Sequence, residues 1–132
     1  MRDPNNPCLF CNIKESGLAD ENRLAYASYD TYPVSELHCL IIPKRHANDY
    51  FELTNDEVIA CNDLIKKIKE EILLKDSSVK GFNIGSNAGK IAGQSVLHCH
   101  IHLIPRRVGD VENPQGGVRS VIPIKQHYKH KV

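Results

Sequence analysis

Three histidines occupy every second position in the run His98-Cys99-His100-Ile101-His102, out of seven in 132 residues. Alternate residues of an extended strand project from one face. The three imidazoles would therefore share a surface, with Cys99, Ile101 and Leu103 packed into the core behind it. A merely solvated strand face is a poor account, because histidine is no favoured filler there. Two chemical readings remain. His-x-His on a strand can present two ligands to zinc. Alternatively, one imidazole attacks phosphorus while its neighbours bind the phosphate oxygens.

The flanking residues favour the second reading. Gly93-Gln94-Ser95 precedes the run with a backbone free of Cβ obstruction, an amide and a hydroxyl, all suited to an anionic phosphoryl oxygen. Asn83, Gly85, Asn87 and Gly89 add donors and tight turns. The stretch Gly85-Ser86-Asn87-Ala88-Gly89-Lys90-Ile91 is not a P-loop: it is one residue short, lacks Ser/Thr after the lysine and leads towards a strand. A neutral imidazole is a good nucleophile near pH 7, its reference pKa being about 6.5. Attack from one ring nitrogen requires the other to keep its proton and donate it, most simply to a backbone carbonyl. No carboxylate cluster near the run suggests a two-metal site, since Asp110 and Glu112 stand apart in a polar loop. Stabilisation then falls to protein donors, with room for a divalent ion arriving on a polyphosphate. No organic cofactor is implied.

Cys8 and Cys11 are spaced Cys-x-x-Cys, which lets one metal take both thiolates. A redox pair is the competing use, but no βαβ pattern follows. An unmetallated pair of core cysteines is the third. A closed tetrahedral site needs two more ligands, and histidines are the candidates.

These groups need a scaffold. Leu24 to Tyr29 alternates loosely as a first strand. His38-Cys39-Leu40-Ile41-Ile42 is a run of strand formers stopped by Pro43, with His38 near its start. Thr54-Asn55-Asp56-Glu57 is a capping box. The spacing of Val58, Cys61, Ile65, Ile68 and Ile72 then predicts a helix ending near Lys75-Asp76. Phe82 to Ser86, Val96 to Ile104 and Val118 to Ile122 read as further strands. Short strands around one long helix indicate an α+β fold on an antiparallel sheet of unspecified strand order.

Length suits a single domain over 1–132, with about 1–7 and 125–132 as flexible ends. A net charge of +1 gives no field for nucleic acid or an acidic membrane. No run reaches the length of a membrane span, and the N-terminus lacks a secretory apolar segment. Five cysteines, three of them inside apolar segments, fit reduced thiols in a cytoplasm better than a disulfide framework. The pairs Lys44-Arg45 and Arg106-Arg107 read as solvated or phosphate-steering groups.

The segment Gly93-Gln94-Ser95-Val96-Leu97-His98-Cys99-His100-Ile101-His102-Leu103-Ile104-Pro105-Arg106 resembles the signature of the histidine-triad (HIT) family. The likeness extends from Cys8 to about Pro123, through Asp30 and His38 to His46, and then Asn83 to Gly93. The tail Gly109 to Pro114 with Gly116-Gly117-Val118-Arg119 is similar to the bacterial diadenosine polyphosphate hydrolase branch. The resemblance implies an antiparallel sheet of about five strands with one long helix, two units pairing into a homodimer with a continuous sheet.

It also implies roles. His100 would be the nucleophile, forming a nucleotidyl-histidine that water hydrolyses. His102 and His38 would flank the phosphate, and Gly93, Gln94 and Ser95 would hold it and the leaving group. Asp30 would accept from the ribose hydroxyls, Asn83 would meet the sugar-phosphate edge, and Leu9 and Phe10 would line the base pocket. Cys8, Cys11, His46 and His98 would hold a structural zinc. The expected reaction is cleavage at the α-phosphate of an adenine nucleotide, with dinucleoside polyphosphates first and adenosine phosphoramidates second. A nucleotidyl transferase would share the intermediate. A zinc-stabilised nucleotide-binding protein without catalysis is the reading from another class. His127 and His130 sit in a basic tail with no expected chemistry, although such tails reach the partner's site in this family.

Overall fold

The computed structural model describes residues 7–13 and 17–129; His130 and most of the N-terminal end lie outside them. Five strands form one antiparallel sheet: β1 (Leu18–Glu21), β2 (Ala25–Tyr29), β3 (Cys39–Pro43), β4 (Val79–Gly85) and β5 (Ile101–Arg107). Their order is β1-β2-β3-β5-β4. The last strand in sequence therefore lies inside the sheet, between β3 and β4. One helix, α1 (Asn55–Lys75), lies between β3 and β4 in the chain.

Helix α1 starts where its local chemistry dictates. Thr54 Oγ1 accepts the Glu57 N–H at 3.2 Å, and Glu57 Oε1 accepts the Thr54 N–H at 2.9 Å. The capping box satisfies two otherwise orphaned donors. The buried stripe is Cys61, Leu64, Ile68 and Ile72. Leu64 thus belongs to the core, whereas Val58 and Ile65, read as core from spacing, are half-buried. The stripe packs on Ala25, Ala27, Cys39, Ile41, Ile101 and Leu103, each large aliphatic contributing about 1.5–3 kcal/mol by burial. The other sheet face carries Tyr26, Leu40 and Ile42 beneath Phe10 of the N-terminal turn. Even-numbered positions of β3 and β5 therefore look away from the helix.

Three strand readings are corrected. The strand expected over Val96 to Ile104 begins only at Ile101 and runs on through Pro105 to Arg107. Before Ile101 the chain bends through residues 96–98 without a strand partner, and the Cys99 N–H donates to the Ala47 carbonyl at 2.7 Å. Pro105 is tolerated because pairing with β3 stops at Leu103, so no ladder bond needs its missing N–H. The segment Val118 to Ile122 is no strand: Gly116, at φ +75°, starts a 3-10 turn over Gly117–Val121. Leu18–Glu21 is a strand that the sequence reading did not contain. Residues 125–128, grouped on sequence with a flexible end, lie folded back on 113–119. His127 Nε2 donates to the Asn113 carbonyl at 3.1 Å, and the Arg119 guanidinium sits 4.2 Å over the Tyr128 ring.

Arg45, between β3 and α1, binds the helix start from outside. Its Nε donates to Glu57 Oε2 at 2.9 Å and its Nη2 to Oε1 at 2.8 Å. This fork holds the Glu57 carboxyl at about 2, against an ordinary 4.5. A carboxylate depressed in the native state contributes stability fully above its unfolded value and loses it as the pH falls through the native one. Melting temperature should thus drop between pH 4.5 and about 2. The Glu57→Gln variant should melt lower at pH 7 and show a shallower acid drop, measured by circular dichroism; an equally steep drop would refute the assignment.

Candidate active site

Alternation along the histidine run holds, but the histidine side is not a solvent face. His98 is fully buried, His100 is 7% exposed, and Cys99, Ile101 and Leu103 point to the core as expected. The N-terminal Cys turn covers that side. Phe10 meets the His98 ring at a centroid distance of 6.1 Å and the His100 ring at 5.0 Å, edge-on in both cases. The Tyr26 hydroxyl, from β2, donates to the Phe10 carbonyl and anchors the turn. Phe10 is thus a packing partner of the histidines, while Leu9 is largely exposed.

Each imidazole has a protonation pattern fixed by an unambiguous partner. A carbonyl can only accept and a backbone N–H can only donate. His100 Nδ1 lies 2.9 Å from the His98 carbonyl, so Nδ1 carries the proton and Nε2 keeps its lone pair. Ser86 Oγ donates to the His100 carbonyl at 2.7 Å and fixes that residue's backbone. His38 Nδ1 accepts the Val34 N–H at 3.1 Å, so its proton is on Nε2. That nitrogen faces His102 Nδ1 at 2.9 Å. His102 consequently keeps its own proton on Nε2, a donor for an oxyanion.

Burial pushes His38 below the ordinary 6.5, against the opposing pull of Asp30. It does the same to His102, aided by the neighbouring His100 and His38. Both rings are therefore neutral at pH 7, as the relay requires.

His38 is 2% exposed, and its Nε2 is turned to His102 Nδ1. The turn that presents the Val34 amide contains Leu37 at φ +71°, in the left-handed region that a leucine seldom adopts. Asp30 closes the near side: Oδ1 accepts the Tyr32 N–H at 2.8 Å and Oδ2 lies 3.6 Å from His38 Nε2.

The loop before the run is held by its own hydrogen bonds at Gly93 and Gln94. The Gly93 N–H donates to the Lys90 carbonyl at 2.9 Å, and Gly93 sits at φ +91°. Gln94 is buried, and its amide is committed: Oε1 accepts the Gly89 N–H, and Nε2 donates to the Asn48 and Val96 carbonyls. Gln94 thus ties three segments together, and its amide is not turned to a ligand. Ser95, exposed, is the member of the trio with a hydroxyl to spare among the described residues. Asn83, on β4, accepts at Oδ1 from Arg106 Nη1 at 2.7 Å. Spacing alone carries no signal for the Val34 amide, the Ser86 hydroxyl or the Tyr26 clamp.

Cys8, Cys11, His46 and His98 converge, each offering a ligand atom within 4.8 Å of the others. His98 Nδ1 lies 3.3 Å from Cys8 Sγ and 3.4 Å from Cys11 Sγ; His46 Nδ1 lies 3.3 Å from Cys11 Sγ. Zinc bonds of ordinary length to sulfur and nitrogen give a tetrahedron with S···N edges of about 3.6 Å. The outer nitrogens are placed for that purpose. His98 Nε2 donates to the Pro43 carbonyl at 2.8 Å and His46 Nε2 to Asn48 Oδ1 at 3.2 Å, leaving each Nδ1 as a lone pair. The donor set fits a closed structural zinc site.

A second convergence, Asp30, His38 and His102, does not fit a metal. The Val34 amide keeps the His38 proton on Nε2, the atom that would have to ligate.

The fold is an α+β unit: one face of its antiparallel sheet is lined by imidazoles in fixed tautomers and the other is packed on a single helix. Residues 14–109 match the model of the HIT domain, and the chain belongs to the HIT family; it is a hydrolase of that family. It is 38% identical over 80% of its length to a HIT-like protein of Mycoplasma genitalium, covering 77% of that protein. It is 32% identical to adenosine 5'-monophosphoramidase HNT1 of Candida albicans, over 76% of this chain and 70% of that one. A zinc-bound histidine triad family protein of Mycobacterium smegmatis superposes with a TM-score of 0.72 at 28% identity, covering 81% of this chain and 80% of that one.

Two outcomes follow. Removing the Val34 amide with Val34→Pro, at a position 72% exposed, should release the His38 tautomer. Nitrogen-15 spectra of the imidazoles should lose the fixed Nε2–H pattern of His38 and His102, with kcat falling about tenfold or more at unchanged KM. An unaltered spectrum would refute the relay. Purified protein should carry about one zinc per chain; Cys8→Ser and Cys11→Ser should lose it together with a large part of the melting temperature. Metal analysis finding zinc retained in both variants would overturn the ligand set.

Proposed function

We propose that the protein cleaves nucleoside 5′-phosphate derivatives at the α-phosphate through a nucleotidyl intermediate on His100. The observation that carries this reading is the Nδ1–H of His100 bonded to the His98 carbonyl, which leaves Nε2 as the free lone pair. Attack by Nε2 forms an N–P bond and expels the leaving group; water then breaks the N–P bond, releasing the nucleoside monophosphate and a proton to solvent. Dividing one displacement into two lets leaving group and water occupy the site in turn. The Nε2–H of His102 and the Ser95 hydroxyl stabilise the charge on the phosphoryl oxygens. Asp30, with Oδ2 facing the site, takes the ribose hydroxyls, and Asn83 meets the leaving-group side.

Adenine is the base we assign, and a dinucleoside polyphosphate the first substrate class. Adenosine phosphoramidates are the second reading, favoured by the name of the Candida relative. Zinc at Cys8, Cys11, His46 and His98 would hold the N-terminal turn, and with it Phe10, over the nucleophile; its contribution is structural.

A homodimer is supported by the open edge of β4 and an apolar cavity of about 480 Å³ beside it, lined by Phe51, Ile59 and Ile84. Among the described residues no helix is long and apolar enough to cross a membrane. Five cysteines outside any disulfide suit a reducing cytoplasm.

Replacing His100 with Ala should abolish AMP release from both a dinucleoside polyphosphate and an adenosine phosphoramidate, by about 10⁴-fold or more for loss of a nucleophile. Acid quenching of the native protein with labelled substrate should trap label on protein, and the variant should trap none. Turnover that survives the substitution would sink the nucleophile assignment.

A further inference from the structure

Arg107 ends β5 on the side away from the imidazoles. The even-numbered positions of that strand, His102, Ile104 and Arg106, share the imidazole face, so Arg107 belongs to the helix side. Five residue steps separate it from His102, about 16 Å. Its guanidinium is turned to the end of α1 and not to a phosphate. Nε and Nη2 donate to Asp76 Oδ2 at 3.3 and 2.9 Å, and Nε also reaches Ser78 Oγ at 3.2 Å. Asp76 is the C-cap of α1. The Ser78 hydroxyl and amide, with the Arg107 guanidinium, hold its carboxyl at about 2, so it is an anion at neutral pH. Nη2 has a second N–H, and this donates to the Glu36 carbonyl at 3.0 Å.

That carbonyl lies in the middle of a turn held against its local preference. The His38 N–H donates to the Ser35 carbonyl at 3.1 Å, closing a four-residue turn over Ser35-Glu36-Leu37-His38. Leu37, its third residue, is the only non-glycine with positive φ among the described residues, at +71°. Glu36 is therefore at negative φ, and the turn is type II. Type II favours glycine or asparagine at the third position, whereas type I accepts leucine there. The two forms differ by a rotation of the central peptide, here the Glu36–Leu37 unit, which carries the Glu36 carbonyl to the opposite side. Local preference therefore favours type I. Arg107 opposes the rotation directly, since the rotated peptide would aim the Leu37 N–H, a donor, at the same guanidinium. Two other contacts assist: Ser35 Oγ donates to the Pro105 carbonyl at 2.7 Å, and the Leu37 side chain packs on the helix-side core. The residue before the turn presents the Val34 N–H to His38 Nδ1, the bond from which the His38 and His102 tautomers follow.

We propose that Arg107 is a positioning residue for the reaction at His100. By holding the Glu36 carbonyl it locks the turn in its type II form, keeps the Val34 amide on His38, and so keeps the His102 Nε2–H aimed at the phosphoryl oxygens. The proposal rests on the α-phosphate reading above for its kinetic consequence alone, because the tautomers are a property of the free protein. Arg107 touches neither imidazole nor substrate, and acts through one carbonyl.

A double-mutant cycle on Arg107→Met and Leu37→Gly tests this. It is read by nitrogen-15 imidazole spectra of the free protein, and by kcat and KM for AMP release from adenosine 5′-phosphoramidate. Arg107→Met should lose the fixed Nε2–H pattern of His38 and His102, with kcat lowered about tenfold at unchanged KM, as when an oxyanion donor is partly withdrawn. Leu37→Gly removes the penalty on the type II turn. In that background Arg107→Met should leave the spectrum as it is and kcat within about twofold of the Leu37→Gly parent, since substitutions acting on one turn are not additive. Asp76→Asn keeps the arginine but slackens its hold; it should show the same pattern with a smaller fall, and it stands in if Arg107→Met does not fold. Unaltered spectra in both Arg107→Met and Asp76→Asn would overturn the proposal. So would equal losses with leucine and with glycine at position 37, the mark of a merely structural ion pair. A wild type that releases no AMP would overturn the α-phosphate reading, with the spectra still deciding the role of Arg107.

Discussion

The site turns on one residue serving two neighbours. The His98 imidazole points its Nδ1 at Cys8 and Cys11, while its backbone carbonyl accepts the Nδ1–H of His100. Proposed metal ligand and orienting acceptor are therefore the same residue, and whatever fixes the His98 ring also fixes the peptide that sets the His100 tautomer. The Pro43 carbonyl completes this by holding the other face of the ring. Such outer partners decide which nitrogen of an imidazole is reactive. Phe10 joins the two functions mechanically, riding on the Cys turn with its edge against both rings.

The sheet makes this arrangement affordable. One face is given to α1 and an aliphatic core, so packing energy is concentrated where no chemistry occurs. The other face can then carry imidazoles, whose burial would be unfavourable without partners. No buried side-chain polar atom lacks a hydrogen bond among the described residues. The central ladder brings Leu40 opposite His102, which places His38, two residues before Leu40, beside the His102 ring.

What was legible in the residues depended on the range of the interaction. The capping box and helix α1 were read nearly to the residue because Thr54 and Glu57 satisfy each other locally. The imidazole side was legible because strand alternation is a property of the chain itself. The limits of β5 were not, since they depend on where β3 and β4 stop pairing, and Leu18–Glu21 shows no alternation to mark a strand. Val118 to Ile122 has strand-forming side chains, yet Gly116 in the left-handed region turns the backbone before they can pair. At the site, residue types pointed to the right neighbourhood but not to every role. Gln94 looked like a phosphate donor because an isolated amide is one; the fold uses it to join Gly89, Asn48 and Val96. For His38 the residue type gave no sign of the Val34 amide that fixes its tautomer, because that contact depends on the turn at Leu37.

The strand order has a further consequence, for the way the chain assembles. β5 lies between two strands made before it, so β3 and β4 have no partner in common until residues near 101–107 are available. The closing contacts are the long-range ones, whose loop closure is slow. A chain emerging from a ribosome would therefore hold the three-stranded β1-β2-β3 meander, a helix and an unpaired β4 until residues 101–107 had been synthesised. Because the same late strand carries His102 and follows directly on His100, a nascent chain cannot assemble the imidazole cluster before it has a closed sheet. Imidazole cluster and completed fold arrive together.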